Sequence, residues 1–387
     1  MSPTPTGEPP RLVWANSERG IAAALVMVGH LLVATVLLQP WIEEKIGFAA
    51  GRPLTDYGQV ALSTALGVDV MGVGVVLFFL ISGLVIARSL RRYSRRGFFV
   101  GRCLRLLPTY AAGYALILLV LVLATRLVGV EWHPDTGDLA GFLPGLPVLL
   151  QVPSVPNSVA WTLVVEMVFY AVCLVLYRRL LGSAWTLIAI AGGCILIQAM
   201  LLNIGIPSAL AGLGDLVLVA LPFLPVLLIG VHLADPALPR GGLVQLWPVL
   251  PLTAASVWMT GFRVWWPFSP LGLEGAGVGY QLTLVATVLL FVLVWRVAPE
   301  RFDGPLLRRL ADISYPLYVV HAMVGWIVIL LLVRLGMPEW VAMAVAVAVV
   351  AVVAWGLHVG VERPTHRWGR SWARRLSCEP TQASTDR

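Results

Sequence analysis

His30 is the residue in this chain best placed to handle a proton. It stands in the apolar run RGIAAALVMVGHLLVATVLL, 11 residues after Arg19. At ~100° per residue, that spacing makes about three full turns of helix, so the two side chains share one face, ~16 Å apart along the axis. One reading makes His30 a core histidine donating to a neighbouring carbonyl. The other makes it a base held at depth, with Arg19 as a cationic anchor at the mouth of its pocket, because imidazole ordinarily titrates near working pH.

Glu166 is the next exception, set in NSVAWTLVVEMVFY. A lone carboxylate in such a run must be protonated, paired or hydrogen-bonded. It is either a structural hydrogen bond to a neighbouring helix or a partner for His30, orienting the ring or stabilising the imidazolium. Arg102 and Arg105 sit three apart in FFVGRCLRLLPTY, on one helix face. Guanidinium groups suit bidentate contact with phosphate; the alternative is a topology signal, which is the reading that fits Arg88, Arg91, Arg92, Arg95 and Arg96. In ADISYPLYVVHAMV, spacings of three and four bring Ser314, Tyr318 and His321 towards one face. They are either interhelix polar contacts or the lining of an acceptor or cofactor path. His358 and Glu362 fall at the inner end of the last apolar run, and His133, His232 and His366 read as loop or span-end residues. No metal site is expected, since no His, Cys or carboxylate cluster has ligand spacing. Cys103, Cys173, Cys194 and Cys378 show no paired spacing. Phosphate-binding glycine loops and the G-x-S-x-G elbow are absent.

These residues stand out because the chain otherwise excludes charge. Of 387 residues 59% are apolar and only 12% are Asp, Glu, Lys or Arg, about half the share of a soluble protein. Mean hydropathy is +0.87. The composition rules out a soluble globular domain and most disorder, and gives an all-α integral membrane protein. A helix needs ~20 apolar residues to cross a bilayer core. Such runs fall near 19–39, 69–87, 104–125, 158–177, 184–203, 210–231, 245–262, 276–295, 313–333 and 339–359, about ten spans. The first reads as a retained span, not a signal peptide, because no cleavage-like site follows it. With the N-terminus inside, 22 of the 27 basic side chains fall on the cytoplasmic side and five outside, which places both termini in the cytoplasm. The net charge of +7 is thereby topology, not an affinity for nucleic acid. Residues 1–17 read as a cytoplasmic Pro-rich tail, 18–375 as the membrane domain and 376–387 as a second cytoplasmic tail, in a multi-pass protein of the cell (plasma or inner) membrane.

Taken together, the segments resemble the acyltransferase family 3 membrane proteins across most of the chain. R-x10-H is matched by Arg19 and His30, and the aromatic-Ser-Gly segment by Phe78, Phe79, Ser82 and Gly83. The R-x-x-R at the start of a span is matched by Arg102 and Arg105, and W-x-L-x-x-E by Trp161, Leu163 and Glu166, with Phe169 and Tyr170 following. ISYPLYVVH resembles the late Ser-Tyr-Leu-Tyr-His block, and VERP the terminal Glu-x-Pro. One departure is Val76, where members carry an acid two positions before the Phe pair; Asp69 lies seven residues earlier on roughly the same face. No extracytoplasmic hydrolase-like domain is expected after the last span.

The resemblance implies transfer of an acyl group, commonly acetyl, from acyl-CoA to the hydroxyl of a sugar or other acceptor. Acyl-CoA is then a co-substrate, with no tightly bound cofactor. Its anionic phosphates suit Arg19, Arg102 and Arg105, and its thin pantetheine arm can span the ~16 Å from Arg19 to His30. His30 is then the general base, Glu166 its orienting partner, and an acyl-histidine intermediate stays open. Ser82, Trp161, Tyr170, Ser314, Tyr318 and His321 are the expected substrate-binding residues. The acceptor is an envelope glycan, a glycolipid or a glycosylated small molecule such as a macrolide; near-exclusive use of Arg over Lys hints at a GC-rich bacterial genome. The rival class is a transporter or flippase for a lipid-linked or secreted product, which lacks visible inverted repeats or paired broken helices. A scaffold role leaves His30 and Glu166 unexplained.

Overall fold

The structure is a computed structural model that describes residues 10–58, 60, 69–152, 159–181, 183–236, 238, 246–262, 276–297 and 304–378. Among these, nine helices are long and apolar enough to cross a membrane, and Val249–Gly261 adds a shorter apolar one. The protein is thus all-α and multi-pass. In chain order the helices are α1 (Pro10–Val28), α2 (Val70–Arg92), α3 (Arg95–Leu127), α4 (Ala160–Leu176), α5 (Ala184–Ile204), α6 (Ser208–Leu233), α7 (Val249–Phe262), α8 (Ala276–Val297), α9 (Pro305–Arg334), α10 (Glu339–Leu357) and α11 (Arg363–Cys378).

Helix ends do not coincide with the ends of the apolar runs. Helix α1 begins at Pro10, so residues 10–17 of the expected tail already wind into it, and α3 begins at Arg95, nine residues before the apolar run. The R-x-x-R pair therefore lies inside α3, not at its start. Backbone hydrogen bonds are indifferent to side-chain polarity, so a helix runs on through arginines that a bilayer would reject. At 33 residues, α3 rises ~50 Å against a hydrocarbon core of ~30 Å. The last apolar run likewise continues into α11, so that Leu376, Ser377 and Cys378, expected in a tail, are helical. Residues 379–387 lie outside the described residues.

Two π-helical turns interrupt the ladders. One, Gly29–Ala34, carries His30. Its loosened backbone leaves the His30 carbonyl to be shared: the Thr35 hydroxyl donates to it at 2.9 Å and the Trp326 indole N–H at 3.0 Å. The other, His358–Glu362, precedes Pro364. Proline has no N–H to return to the carbonyl four residues back, and its ring crowds that carbonyl, so the ladder widens there.

Helix α9 is the hub, buried along most of its length and packed against α1, α3 and α10, while α2 packs against α1, α6 and α8. Lipid offers no hydrophobic drive for helices to associate, so close packing at small residues decides the partners. Gly83 of α2 and Gly230 of α6 face one another, and a Cβ on Gly83 would drive into the Leu227 carbonyl oxygen. That contact draws α2 inward and aims Phe78, Ser82 and Val85 at the centre of the bundle.

Candidate active site

A cleft opens among α1, α2, α3, α4 and α9. Of the residues singled out by sequence, it is lined by Arg19, Ser82, Arg102, Arg105, Glu166, Tyr170 and Tyr318. Five helices contribute one to three polar side chains each, on faces that are otherwise apolar.

The charged groups are arranged around Glu166. Its carboxylate accepts hydrogen bonds from the Ser82 hydroxyl and, at 3.2 Å, from the Tyr170 hydroxyl. Arg19 stands within electrostatic reach of Glu166, Arg102, Arg105 and Glu362. Arg102 donates to the Ser89 hydroxyl at 2.6 Å and lies over the rings of Phe98 and Tyr170, 5.6 and 5.7 Å from their centres. Arg105 makes no hydrogen bond to any described residue, and its Nε is buried. Three guanidinium groups and one carboxylate, all half-buried, thus line the cleft together. Cations held this way favour an anion with several oxygens.

His30 lies one layer beyond the cleft. Its Nδ1 is 2.8 Å from the Val26 carbonyl oxygen. A carbonyl only accepts, so Nδ1 carries the proton and Nε2 keeps its lone pair. Its neighbour is His321, whose ring meets it edge-on at 4.9 Å, with Trp326 at 5.8 Å. His321 is fully buried, and its Nδ1 is held by the Tyr318 and Leu317 carbonyls at 2.9 and 3.2 Å. The same argument leaves its Nε2 as an acceptor, and that atom has no partner among the described residues. Tyr318 joins the two regions: its ring lines the cleft, packs against Phe78 at 5.1 Å and meets His321 at 5.7 Å. Its hydroxyl is fixed 2.8 Å from that of Thr162.

Several expectations change as a result. Glu166 does not orient His30, because its oxygens are taken by Ser82 and Tyr170; Val26, His321 and Trp326 set the ring instead. Trp161 packs on Phe79 and Phe223 and is not part of the cleft lining. Ser314 turns back to the Ala311 carbonyl at 2.7 Å. Asp69 flanks the start of α2, where its backbone N–H donates to the Thr283 hydroxyl. Thr162 lines the cleft without having been singled out, and so does Tyr315, the first tyrosine of the ISYPLYVVH block, to which no role was given. Thr162 precedes Glu166 by four residues in an apolar run, a spacing that puts it on the same face.

Fold and site together define the class: a multi-pass, all-α membrane protein with its scarce polar groups gathered in one arginine-rich cleft beside a histidine pair. The acyltransferase family 3 model, described as an acyltransferase domain, matches residues 12–359. The chain belongs to that family and is a membrane acyltransferase. No curated protein and no solved structure matches the chain.

Proposed function

We propose that the protein transfers an acyl group, acetyl in the simplest case, from acyl-CoA to a hydroxyl of a sugar-containing acceptor, with His30 as general base. The observation that carries the reading is the unpartnered Arg105 guanidinium, clustered with Arg19 and Arg102 in a cleft that ends against the histidine pair. Arg105 is half-buried, with its Nε buried and without a hydrogen-bond partner among the described residues, and the phosphates of acyl-CoA are oxygen-rich anions that would satisfy it. The pantetheine arm then runs inward along the apolar wall of Val75, Phe78 and Ile81 and past Tyr318, bringing the thioester to His30. There the Nε2 lone pair takes the proton of the acceptor hydroxyl as its oxygen attacks the thioester carbonyl carbon. The tetrahedral adduct collapses with cleavage of the C–S bond, and the CoA thiolate recovers the proton from the His30 imidazolium. The Nδ1–H to Val26 bond persists throughout and holds the ring in place.

The test is the purified full chain in nanodiscs, supplied with radiolabelled acetyl-CoA and a membrane and metabolite extract as acceptor pool. Release of free CoA coupled to label in a glycan, glycolipid or glycosylated small molecule is expected. His30→Gln should insert normally and release no CoA above background. Full activity in that variant sinks the base assignment, and movement of a product across the bilayer with no CoA release favours the transporter class.

A further inference from the structure

The helix after the last span, α11, is held antiparallel against the first three turns of α3. Its register is fixed by close contacts: Ser377 accepts from the Ser94 backbone N–H at 2.9 Å, and the Ser94 hydroxyl donates to the Leu376 carbonyl at 3.0 Å. One turn along, Gly97 lies so near Ala373 that a Cβ would come within 2.6 Å of its carbonyl oxygen. A turn further, Gly369 faces Gly101 and Leu104. Continuing that register brings His366 level with Arg105. The electrostatics agree, since His366 lies within reach of Arg105, Arg102 and Arg19 on the cleft side and of Arg370 on its own helix.

His366 is half-buried and makes no hydrogen bond to a described residue, while Arg370 is exposed one turn farther from the bundle centre. The acid nearest on this stretch, Glu362, is committed to His358 at 2.7 Å. Burial and the four guanidinium groups within reach disfavour protonation of the imidazole, so the cluster presents four cations beside a neutral hydrogen-bonding ring, a set that suits an oxygen-rich anion. The family resemblance and the span count give α11 no role.

We infer that α11 is the outer wall of the donor site, with His366 and Arg370 holding the ribose 3′-phosphate of acyl-CoA while Arg19, Arg102 and Arg105 hold the diphosphate. This rests on the donor reading above and extends it to residues outside the family motifs. The order follows from depth. The diphosphate is joined to the pantetheine arm and enters first; the phosphomonoester hangs from the ribose farther out, where Arg370 lies.

The experiment measures equilibrium binding of CoA and of 3′-dephospho-CoA to the full chain in phosphatidylcholine nanodiscs, for wild type, His366→Ala and Arg370→Gln. Wild type should prefer CoA by tenfold or more, and each variant should lose most of that preference while binding 3′-dephospho-CoA as wild type does. Tenfold corresponds to ~1.4 kcal/mol, in keeping with one charge-assisted contact. Arg370→Lys should keep part of the preference, since it keeps the charge without the fork. An unchanged preference in both variants overturns the assignment. So does an equal loss for both ligands, which would make α11 only a packing element. If the variants alter binding only when anionic phosphatidylglycerol is added, the cations serve a lipid headgroup and the assignment again falls. Failure of wild type to bind CoA at all is a separate result, which removes the donor reading itself.

Discussion

Replacing Glu166 by Gln separates two roles for the one carboxylate in the cleft. As placed, Glu166 accepts from Ser82 and Tyr170 and faces Arg19 and Arg102. A hydrogen bond to a charged acceptor contributes about 1.5–3 kcal/mol and a neutral one about 0.5–1.5. Two such bonds weakened by ~1 kcal/mol each give a loss of about 2 kcal/mol in stability, partly offset because both hydroxyls can rotate towards the amide. On the arginine side, a unit charge acting across several ångströms at an effective dielectric of ~20 contributes on the order of 2 kcal/mol. Removing it takes away the internal competitor of an incoming phosphate. Glu166→Gln should therefore melt a few degrees lower and bind CoA more tightly, by about thirtyfold. The assay is a thermal melt in detergent together with CoA binding and initial rates of acyl transfer. If turnover collapses while CoA affinity stays at the wild-type value, Glu166 acts on the proton-transfer step, and the separation of Glu166 from His30 argued above is wrong.

Other outcomes follow from single contacts. His321→Phe fills the same space but removes the buried Nε2 acceptor; transfer should slow tenfold or more with acyl-CoA affinity unchanged, read from the kcat and KM of the donor. Thr162→Val frees the Tyr318 hydroxyl and costs about 1 kcal/mol, with a matching fall in thermal stability and a looser aromatic wall, seen as faster leakage of label to water. Gly83→Ala forces α2 from α6 against a backbone carbonyl and should destabilise by ~1–3 kcal/mol, whereas Gly192→Ala on α5, where a Cβ meets nothing within 4 Å, should be neutral or stabilising. Glu339→Gln weakens the buried carboxylate at the start of α10 that pairs with Arg52 at 2.8 Å and accepts from the Thr55 N–H at 2.8 Å. Faster amide exchange across residues 52–58 with unchanged catalysis would show that this contact only ties down the loop.

Much of this protein is legible without coordinates because a membrane penalises charge so heavily. Apolar runs mark the spans, and the polar residues left inside a run identify themselves. Helical spacing also indicates which side chains share a face of one helix: Arg102 with Arg105, Tyr318 with His321. Spacing says nothing about which helices are neighbours. That choice depends on where backbones can approach, as at Gly83 and Gly230 or at Gly101 and Gly369. Packing accordingly decided that Glu166 answers to the arginines and not to His30, that Tyr318 stands between the cleft and the histidine pair, and that a helix beyond the last span returns His366 to Arg105. Period and polarity are properties of one helix and can be read along a chain; partnership is a property of two surfaces and exists only once they meet.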